Sequence, residues 1–226
     1  MNAIILAAGM GTRLRPLTND RPKCMVEVNG VPMVERQIKY LHESGITDIT
    51  LVSGYKADSL DFLKEKYGVK IVFNDKYDVY NNIYSMYLVK DLLNDTFVLE
   101  GDVFMNKNCL VPQEQSTYFA RWIEGYQREW GLIVDENNQL QEIRPGDGTG
   151  FIMSGISYWT YADALKIVTR IDEMMREDNF ENLFWDNAVL DIHKELNIKV
   201  ERFDDIYEID TEAELRAVEK QLLALK

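Results

Sequence analysis

The sequence predicts an α/β protein with a mixed, mostly parallel β-sheet flanked by helices, and three observations support this. Strand-like and helix-like patterns alternate over residues 3–99, as in parallel strands joined by right-handed crossovers. The first apolar run, residues 3–7, is short and ends at a glycine-rich stretch, which is typical of a buried strand. Turn-rich β patterns then fill the middle of the chain. We therefore expect a Rossmann-like sheet that carries a β-rich insertion lobe.

In the first half, the spacing of apolar residues defines each element in turn. After the strand at 3–7, short β-rich runs predict three more strands, at residues 48–53, 69–73 and 96–99. Apolar residues at helical spacing predict three helices, at residues 32–43, 57–67 and 82–93. Gly45 and Gly68 follow the first two of these helices and provide their stops.

In the second half, β patterns separated by turns replace the alternation. Four strands are predicted there, with turns between them, at residues 116–124, 131–135, 140–143 and 151–159. The turns fall at 136–138 and 145–148, and the strands would form a lobe laid over the sheet. The alternation then resumes with two helices, a strand and a short strand, at residues 162–177, 187–195, 199–203 and 207–210. A last helix begins at Glu212, where Thr211 and Glu214 have the spacing of a capping box.

Composition restricts the possible classes of function. Acids outnumber basic residues 38 to 25, and the formal net charge of −13 argues against binding to nucleic acid or to an anionic membrane. No apolar stretch is long enough to cross a bilayer, and arginines rather than a cleavage site follow the first apolar run. Cys24 and Cys109 have no paired spacing for a metal or a disulfide. We expect a cytoplasmic protein, and the sequence leaves its oligomeric state open.

The most informative segment follows the first strand. Gly9 and Gly11 let the backbone approach a ligand closely, and N–H groups exposed after a strand form a cradle for phosphate. Arg13, Arg15 and Lys23 add three cations within reach of this loop. A Walker loop is excluded because no Gly-Lys-Ser/Thr follows, and a dinucleotide fingerprint would need a third small residue that the loop lacks. The loop is most simply a triphosphate site.

The segment from Leu6 to Lys23 resembles the signature of the nucleotidyltransferases that activate sugars and alcohol phosphates. It reads Leu-Ala-Ala-Gly-x-Gly-Thr-Arg-Leu-x-Pro-Leu-Thr-x-x-x-Pro-Lys, and nearly every position matches. The resemblance implies that eight residues bind the nucleotide, namely Leu6, Ala7, Ala8, Gly9, Gly11, Thr12, Arg13 and Lys23. The first three would lie near the base, and the others would contact the phosphates.

Two aspartates at strand ends are candidate ligands for a metal ion. Asp102 comes just after the strand at 96–99, and Asp210 closes a short strand before the last helix. In an open α/β sheet ligands bind beyond the carboxyl ends of the strands, where two carboxylates can hold one Mg²⁺ against phosphate oxygens. Glu-Gly-Asp at 100–102 also matches the metal position of the same family. For Asp210 the family pattern matches as well, but a helix-capping role would look similar.

Aromatic residues next to acids or amides form three further clusters. They lie at residues 80–89, at Glu129-Trp130 and at residues 184–187. The face of an aromatic ring attracts a quaternary ammonium, by roughly 2 kcal/mol when desolvated, and nearby acids add to the attraction. Packing in the core or at its rim would explain any one of these aromatic residues. Three such clusters in one chain nevertheless favour a cage for an organic cation.

These segments narrow the resemblance to the bacterial CTP:phosphocholine cytidylyltransferases, over essentially the whole chain. Matching stretches include residues 73–77, 80–89, 116–119, 154–155, 185–187 and 208–210. The resemblance implies a choline box of aromatics and acids, with five candidate residues: Tyr84, Glu129, Trp130, Trp185 and Asp186. It also implies a Mg²⁺ ion between the protein and the diphosphate, with Asp102 as one ligand. Either Asp186 or Asp210 would be the second, and its position at a strand end favours Asp210.

The expected reaction is Mg²⁺-dependent transfer of CMP from CTP to phosphocholine, with release of pyrophosphate. Lys23, Arg13 and Asp102 would carry the catalysis by relieving charge repulsion and placing the reactants in line. A general base is not needed, because a phosphate monoester with a second pKa of about 6 is largely dianionic at neutral pH. Nothing in the pattern implies partners other than these small molecules.

Alternatives stay open at this stage. Within the same class, the chain could be a sugar-1-phosphate nucleotidylyltransferase that forms UDP- or dTDP-sugars, because the sequence determines the choice of base only weakly. From another class, it could be a catalytically silent regulatory homologue, although Lys23 and Asp102 would then be unexplained. We expect one domain over residues 1–226, with a nucleotide-binding half at about 1–110 and an acceptor-binding half at about 111–226.

Overall fold

The computed structural model describes residues 1–224, and a seven-stranded sheet is its central feature. Within those residues the chain forms eleven strands, at Asn2–Ala7 (β1), Glu27–Val28 (β2), Val31–Pro32 (β3), Ile49–Ser53 (β4), Lys70–Phe73 (β5), Thr96–Glu100 (β6), Val103–Met105 (β7), Ser116–Val134 (β8), Leu140–Trp159 (β9), Ile198–Arg202 (β10) and Ile206–Glu208 (β11). The α-helices of the same part are Met33–Glu43 (α1), Phe62–Tyr67 (α2), Asn82–Val89 (α3), Tyr161–Met174 (α4), Asp186–Ile192 (α5) and Glu212–Ala224 (α6).

The large sheet is mixed but mostly parallel, as the sequence predicts. Its strand order is β10-β8-β9-β6-β1-β4-β5, and in this sheet β9 runs antiparallel to both of its neighbours while the other pairs are parallel. Leu6 of β1 stands opposite Glu100 of β6, and Ala7 stands opposite Ser53 of β4. The carboxyl ends of three central strands therefore reach one edge together, and this is the edge where open α/β sheets bind ligands.

Apolar side chains cover both faces of this sheet. Ala3 and Ile5 of β1 lie in the core beneath α1 and α2, whereas Ile4 and Leu6 lie in the core beneath α3, α4 and α5. This alternation is the two-residue period of a strand buried on both sides. Helix α6 packs in a third core together with Leu14, which belongs to the segment after β1. The last helix is thereby attached to the predicted phosphate loop.

Most elements outside the middle of the chain agree with the sequence prediction. The predicted helix at 57–67 begins as a 3-10 turn, and the one at 82–93 ends as another, so that α2 and α3 are shorter than predicted. The capping box before α6 is confirmed, because Glu214 N–H donates to Thr211 Oγ1 (3.2 Å) and Thr211 N–H donates to Glu214 Oε2 (2.8 Å). Strands β2, β3 and β7 were not predicted, since two or three residues carry too little pattern. Across residues 1–224, none of the helices combines the length and apolarity that a membrane crossing requires.

The middle of the chain differs from the prediction of four separate strands in a lobe over the sheet. Residues 125–130 and 144–150, which lie between those strands, pair with each other, so that the long strands β8 and β9 replace four short ones. The predicted turn at 145–148 is wrong, because Pro145 stands opposite Trp130 in this pairing. Local sequence could not reveal this, since the hydrogen bonds come from the following strand rather than from neighbouring residues. Both strands also belong to the main sheet, and we call their paired residues 121–134 and 140–152 the arm.

Tyr126 fills the inside of the arm. Its side chain is only 8% exposed, and its ring lies against Gly131 and Gly148. A Cβ atom at Gly131 would come within 2.2 Å of Tyr126 Oη, and one at Gly148 within 2.7 Å. The two glycines therefore leave the room that the ring occupies, and the ring holds β8 in place beside Trp130.

We expect Gly131→Ala to lower the free energy of unfolding by about 1–3 kcal/mol, because the added methyl group overpacks the arm against the Tyr126 hydroxyl. Urea denaturation measures this change. Tyr126→Phe in the same chain removes the hydroxyl and should restore part of the lost stability. Strict additivity of the two substitutions would contradict the contact assigned here.

Candidate active site

The glycine-rich loop borders a cavity of about 310 Å³, the first cavity, at the carboxyl ends of β1 and β6. All eight residues predicted to bind the nucleotide line it, namely Leu6, Ala7, Ala8, Gly9, Gly11, Thr12, Arg13 and Lys23. Asn74 and Ser85, which are not among the predicted ligands, line it as well. Both are buried, and Asn74 Nδ2 donates to Ser85 Oγ at 2.9 Å. This amide–hydroxyl pair gives the cavity a polar wall that can hydrogen-bond a nucleobase.

The backbone of the loop fixes the direction of Lys23. Gly11 has a φ of +56°, which other residues rarely adopt, and a Cβ atom there would lie 2.9 Å from Lys23 Cβ. Both the backbone conformation and the lack of space therefore exclude a larger residue. Thr18 Oγ1 holds this conformation by donating to the Gly11 carbonyl at 2.8 Å. Lys23 itself begins a 3-10 turn directly after Pro22. Its stem therefore packs along the loop, and its ammonium group lies at the strand ends.

Lys23, Arg13 and Asp102, the predicted catalytic residues, meet at this point together with Asp210. Lys23 Nζ donates to Asp102 Oδ2 (2.6 Å) and to Asp210 Oδ1, and Arg13 Nη2 lies 2.8 Å from the same oxygen of Asp210. Lys23 is largely buried, with its side chain 12% exposed. Burial by itself lowers the pKa of Lys23, but the two carboxylates raise the pKa overall, so the ammonium stays charged.

Glu208 is a third carboxylate in this cluster that the sequence analysis missed. One oxygen each from Asp102, Glu208 and Asp210 lie within 4.8 Å of one another. Burial, followed by the charges of Asp102 and Asp210, raises the pKa of Glu208 to about 8. The available signal was its position two residues before Asp210, because residues at this spacing point to the same side of an extended chain.

The donor set of this cluster fits a divalent cation. Asp102, Glu208 and Asp210 offer carboxylate oxygens only, which are the ligands that hard ions such as Mg²⁺ prefer. They also lie beside the phosphate loop, where an ion could contact protein and phosphate together. Asp186, the other candidate for the second ligand, lies outside the cluster and accepts a hydrogen bond from Tyr118 Oη at 3.1 Å. The geometry thus groups Asp210 with Asp102.

A second cavity of about 260 Å³ adjoins the first on the other side of this cluster. Four of the five predicted choline-box residues line it, namely Glu129, Trp130, Trp185 and Asp186. Carboxylates and aromatic rings dominate its wall, which also includes Glu100, Asp102, Tyr118, Phe184 and Glu208. Among the lining residues that the structure describes, Arg13 is the one cation. Such a wall attracts a cation and presents ring faces to it.

Tyr84 is the predicted box residue that the structure does not bring to either cavity. Its ring packs edge-on against Tyr80 at 5.3 Å, and Tyr80 lines the first cavity instead. Two aromatic residues of the second cavity, Tyr118 and Phe184, were not predicted as site residues. Tyr118 is buried in β8 and could not be distinguished by sequence from an ordinary core residue.

Burial raises the pKa of two acids in the second cavity. The pKa of Asp186 rises from 3.8 to about 7, mainly through burial, although the hydrogen bond from Tyr118 works in the opposite direction. Burial, with the charges of Asp102 and Asp186, also raises the pKa of Glu100 well above its ordinary value. A cation that enters beside these two acids would therefore stabilise their ionised forms, which burial disfavours.

We expect Asp186→Asn to raise the free energy of unfolding at about pH 8, by roughly 1–3 kcal/mol. A carboxyl whose pKa is raised on folding costs stability that grows as the pH rises from 3.8 to about 7, and the amide removes this cost. The gain should shrink as the pH is lowered to about 5. Urea denaturation at several pH values measures it.

The control for this prediction is Asp178→Asn, because Asp178 is exposed. It should change the stability little at any pH. A gain at Asp186 that did not depend on pH would contradict the assignment of the raised pKa to that carboxyl.

Comparisons with known proteins agree with this geometry. A sequence profile of the family described as nucleotidyl transferase matches residues 2–134. The chain is 45% identical to the choline-phosphate cytidylyltransferase of Streptococcus pneumoniae, with 98% of both proteins covered. It is 35% identical to the 2-aminoethylphosphonate cytidylyltransferase of Lancefieldella rimae, with 96% of this chain and 91% of that protein covered.

A solved structure shares the fold. That of the CTP:phosphocholine cytidylyltransferase from Streptococcus pneumoniae matches with a TM-score of 0.96 at 46% identity, and 98% of each chain is covered. The predicted fold class is therefore confirmed, as is the resemblance to the bacterial choline-phosphate cytidylyltransferases. The chain belongs to the nucleotidyl transferase family.

Proposed function

We propose that this chain catalyses the Mg²⁺-dependent transfer of CMP from CTP to phosphocholine, which yields CDP-choline and pyrophosphate. The observation that supports this most is that two cavities adjoin, one suited to an anionic ligand and the other to a cationic group. The first, with its glycine loop, Arg13 and Lys23, suits a triphosphate. The second, with its acids and aromatic rings, suits an organic cation. The names of the relatives that match over almost the full length support cytidylyl transfer.

In the first cavity, the chain would bind and orient the nucleotide. Backbone N–H groups from Gly9 to Thr12 and the Arg13 guanidinium would bind the phosphates, because they form a fixed set of donors next to a strand end. Asn74 and Ser85 would hydrogen-bond the base from the inner wall. A nucleotide bound in this way would have its base at the inner wall and its phosphates toward the cluster.

At the junction of the cavities, Lys23 would act on the reacting phosphates. Its ammonium contacts Asp102, which lines both cavities, so it could meet the negative charge that develops where the phosphates of the nucleotide and the acceptor would react. Asp102 and Asp210, with Glu208 beside them, would hold Mg²⁺. When bound, the ion supplies neutralisation of phosphate charge and a fixed orientation.

In the second cavity, Trp130, Trp185, Glu129 and Asp186 would bind the trimethylammonium group. The rings and acids attract it without hydrogen bonds, which a quaternary ammonium cannot donate. The phosphate of the same molecule would then point to Arg13 and Lys23. Because it is largely dianionic at neutral pH, this phosphate can attack without a general base.

This arrangement also bears on the alternatives. The hydroxyl groups of a sugar-1-phosphate could hydrogen-bond the acids of the second cavity but would leave their charge uncompensated, whereas a cation neutralises it. A silent homologue would leave the pairing of Lys23 with Asp102 and Asp210 unexplained. The relative named for 2-aminoethylphosphonate makes a primary ammonium the acceptor that most needs to be tested against choline.

The division of the chain and its location are further parts of the proposal. We propose that residues up to about 110 bind the nucleotide and the later ones the acceptor, with Asp210 lining the first cavity and Arg13, Asn82, Glu100 and Asp102 also lining the second. We propose a cytoplasmic location because Cys24 and Cys109 are both free, buried thiols, as expected in a reducing compartment.

We expect phosphocholine to exceed phosphoethanolamine and 2-aminoethylphosphonate in kcat/KM by about tenfold or more, because a primary ammonium needs hydrogen bonds that ring faces cannot give. A pyrophosphate-release assay that crosses these acceptors and glucose-1-phosphate with the four nucleoside triphosphates measures this. Equal values for choline and ethanolamine acceptors would contradict the cation cage, and turnover with glucose-1-phosphate alone would contradict the proposed function.

Two tryptophans of β8 provide a matched control for the cage. Trp130 lines the second cavity, whereas Trp122 is 46% exposed and packs edge-on against Phe151 in the arm. Trp130→Leu should raise the KM for phosphocholine with little effect on CTP, and Trp122→Leu should leave both unchanged. Equal effects of the two substitutions would assign Trp130 to the folding of the arm.

We expect Lys23→Ala to lower kcat by about 10²–10⁴-fold with only a modest change in the dissociation constant of CTP, because its charge acts mainly on the transition state. Arg13→Ala should lower kcat and also weaken the binding of CTP. Calorimetry beside turnover separates these effects, with Lys76→Ala as an exposed lysine–aspartate control. Loss of CTP binding in Lys23→Ala, with kcat retained at saturation, would make Lys23 a ground-state anchor.

A further inference from the structure

One segment joins the walls of the two cavities. Residues 181–186 carry Phe184, Trp185 and Asp186, which line the second cavity. They lie against the start of α3, where Asn81 and Asn82 line the first. Asn82 also lines the second cavity, so the junction between these two segments touches both ligand spaces.

The junction is a row of hydrogen bonds. Asn81 N–H donates to the Glu181 carbonyl at 2.7 Å, and its side-chain amide donates to the Asn182 carbonyl at 3.3 Å. The Trp185 backbone N–H donates to Asn82 Oδ1 at 2.9 Å. Ile83 N–H, one of the first N–H groups of α3, which lack partners within the helix, also donates to the Leu183 carbonyl at 3.4 Å. A ligand that shifts the start of α3 would therefore also shift residues 181–186.

Glu100 closes this row into a ring of three residues. Its Oε1 accepts one hydrogen bond from Asn82 Nδ2 at 3.1 Å and another from Trp185 Nε1 at 3.2 Å. Glu100 stands at the end of β6, next to the central strand β1, and is a fixed point for both donors. The indole of Trp185 is otherwise packed edge-on against Trp159. The orientation of Trp185 in the second cavity thus depends on the same oxygen that orients Asn82.

We propose that Glu100 and Asn82 are positioning residues, which couple the two cavities by setting Trp185 according to whether a nucleotide occupies the first. The inference rests on the proposed function, because it concerns CTP and phosphocholine as the two ligands. A nucleotide that fixes Asn81 and Asn82 also fixes the Phe184–Asp186 wall, so the ordering of that wall is complete before the acceptor binds. By linkage, the acceptor strengthens nucleotide binding by the same factor.

The first test measures the dissociation constant of phosphocholine by calorimetry, with and without a non-reacting methylene analogue of CTP and Mg²⁺. We expect the analogue to tighten phosphocholine binding by about tenfold in the unmodified protein. Trp185→Phe keeps an aromatic ring but loses the donor to Glu100, and should reduce this factor to about two or less. Trp122→Phe, in the arm, should leave it unchanged.

Substitutions of Glu100 separate positioning from charge. Both donors use one oxygen of Glu100, so Glu100→Gln can keep both hydrogen bonds and should keep the coupling factor, even if phosphocholine binds more weakly. Glu100→Leu keeps the approximate size but removes the oxygen that accepts both hydrogen bonds. In this variant the analogue should no longer tighten the binding of phosphocholine. Retention of the full factor in Trp185→Phe, or its equal loss in the Gln and Leu variants, would overturn the proposal.

Hydrogen exchange distinguishes this proposal from the proposed function. Whichever nucleoside triphosphate binds should slow the exchange of backbone amides in residues 181–186, with no acceptor present, and Glu100→Leu should abolish the slowing. If a nucleotide protects this segment but the protein does not bind phosphocholine, phosphocholine is not the acceptor, while the effect of the nucleotide on the second cavity is supported. Nucleotide binding that leaves the segment unprotected in the unmodified protein would refute the coupling whatever the acceptor.

Discussion

The balance of charge among Lys23, Asp102, Glu208 and Asp210 is the constraint on which the rest of this site depends. Three carboxylates that lie within 4.8 Å of one another repel, and partial burial makes the repulsion costly. The protein offsets this cost in two ways. Lys23 binds two of the carboxylates, and burial together with the charges of Asp102 and Asp210 raises the pKa of Glu208, which favours the neutral form of that acid. The glycine loop that directs Lys23 is therefore as necessary to the cluster as the acids themselves.

The same cluster forms the wall between the two cavities and gives each its character. Arg13 and Asp102 line both, so cations and anions alternate across the wall rather than separating into two patches. A dipolar acceptor entering the second cavity meets acids and rings at one end and Arg13 at the other. The local field therefore aligns the molecule before any close contact forms. The chain as a whole has a net charge of −13, so the overall charge does not indicate how cations and anions are arranged within the site.

The sequence was most informative where chemistry requires a particular residue at a particular place. The eight nucleotide-binding residues were predicted because residues 6–23 resemble a nucleotidyltransferase signature, and Asp102 and Asp210 because acids at strand ends can hold a cation beside phosphate. Tyr118 and Glu208 were missed, because a buried tyrosine or a strand-end glutamate has the same local pattern whether or not it lines a site. The arm was missed for a related reason, since the pairing of β8 with β9 leaves no pattern within residues 125–130 or 144–150 themselves. What the sequence could not supply was in each case a long-range contact.

The cap of the last helix has a consequence for how the protein is made. Glu214 Oε2 accepts hydrogen bonds from the N–H groups of both Asp210 and Thr211, at 2.8 Å each, and α6 packs in one core with Leu14 beside the glycine loop. Two of the three carboxylates therefore reach their places only after residues 206–224 have been synthesised and docked. Until then a growing chain has the loop, Lys23 and Asp102, but not the rest of the cluster. The three-carboxylate cluster is thus one of the last parts of the molecule that can be completed during synthesis.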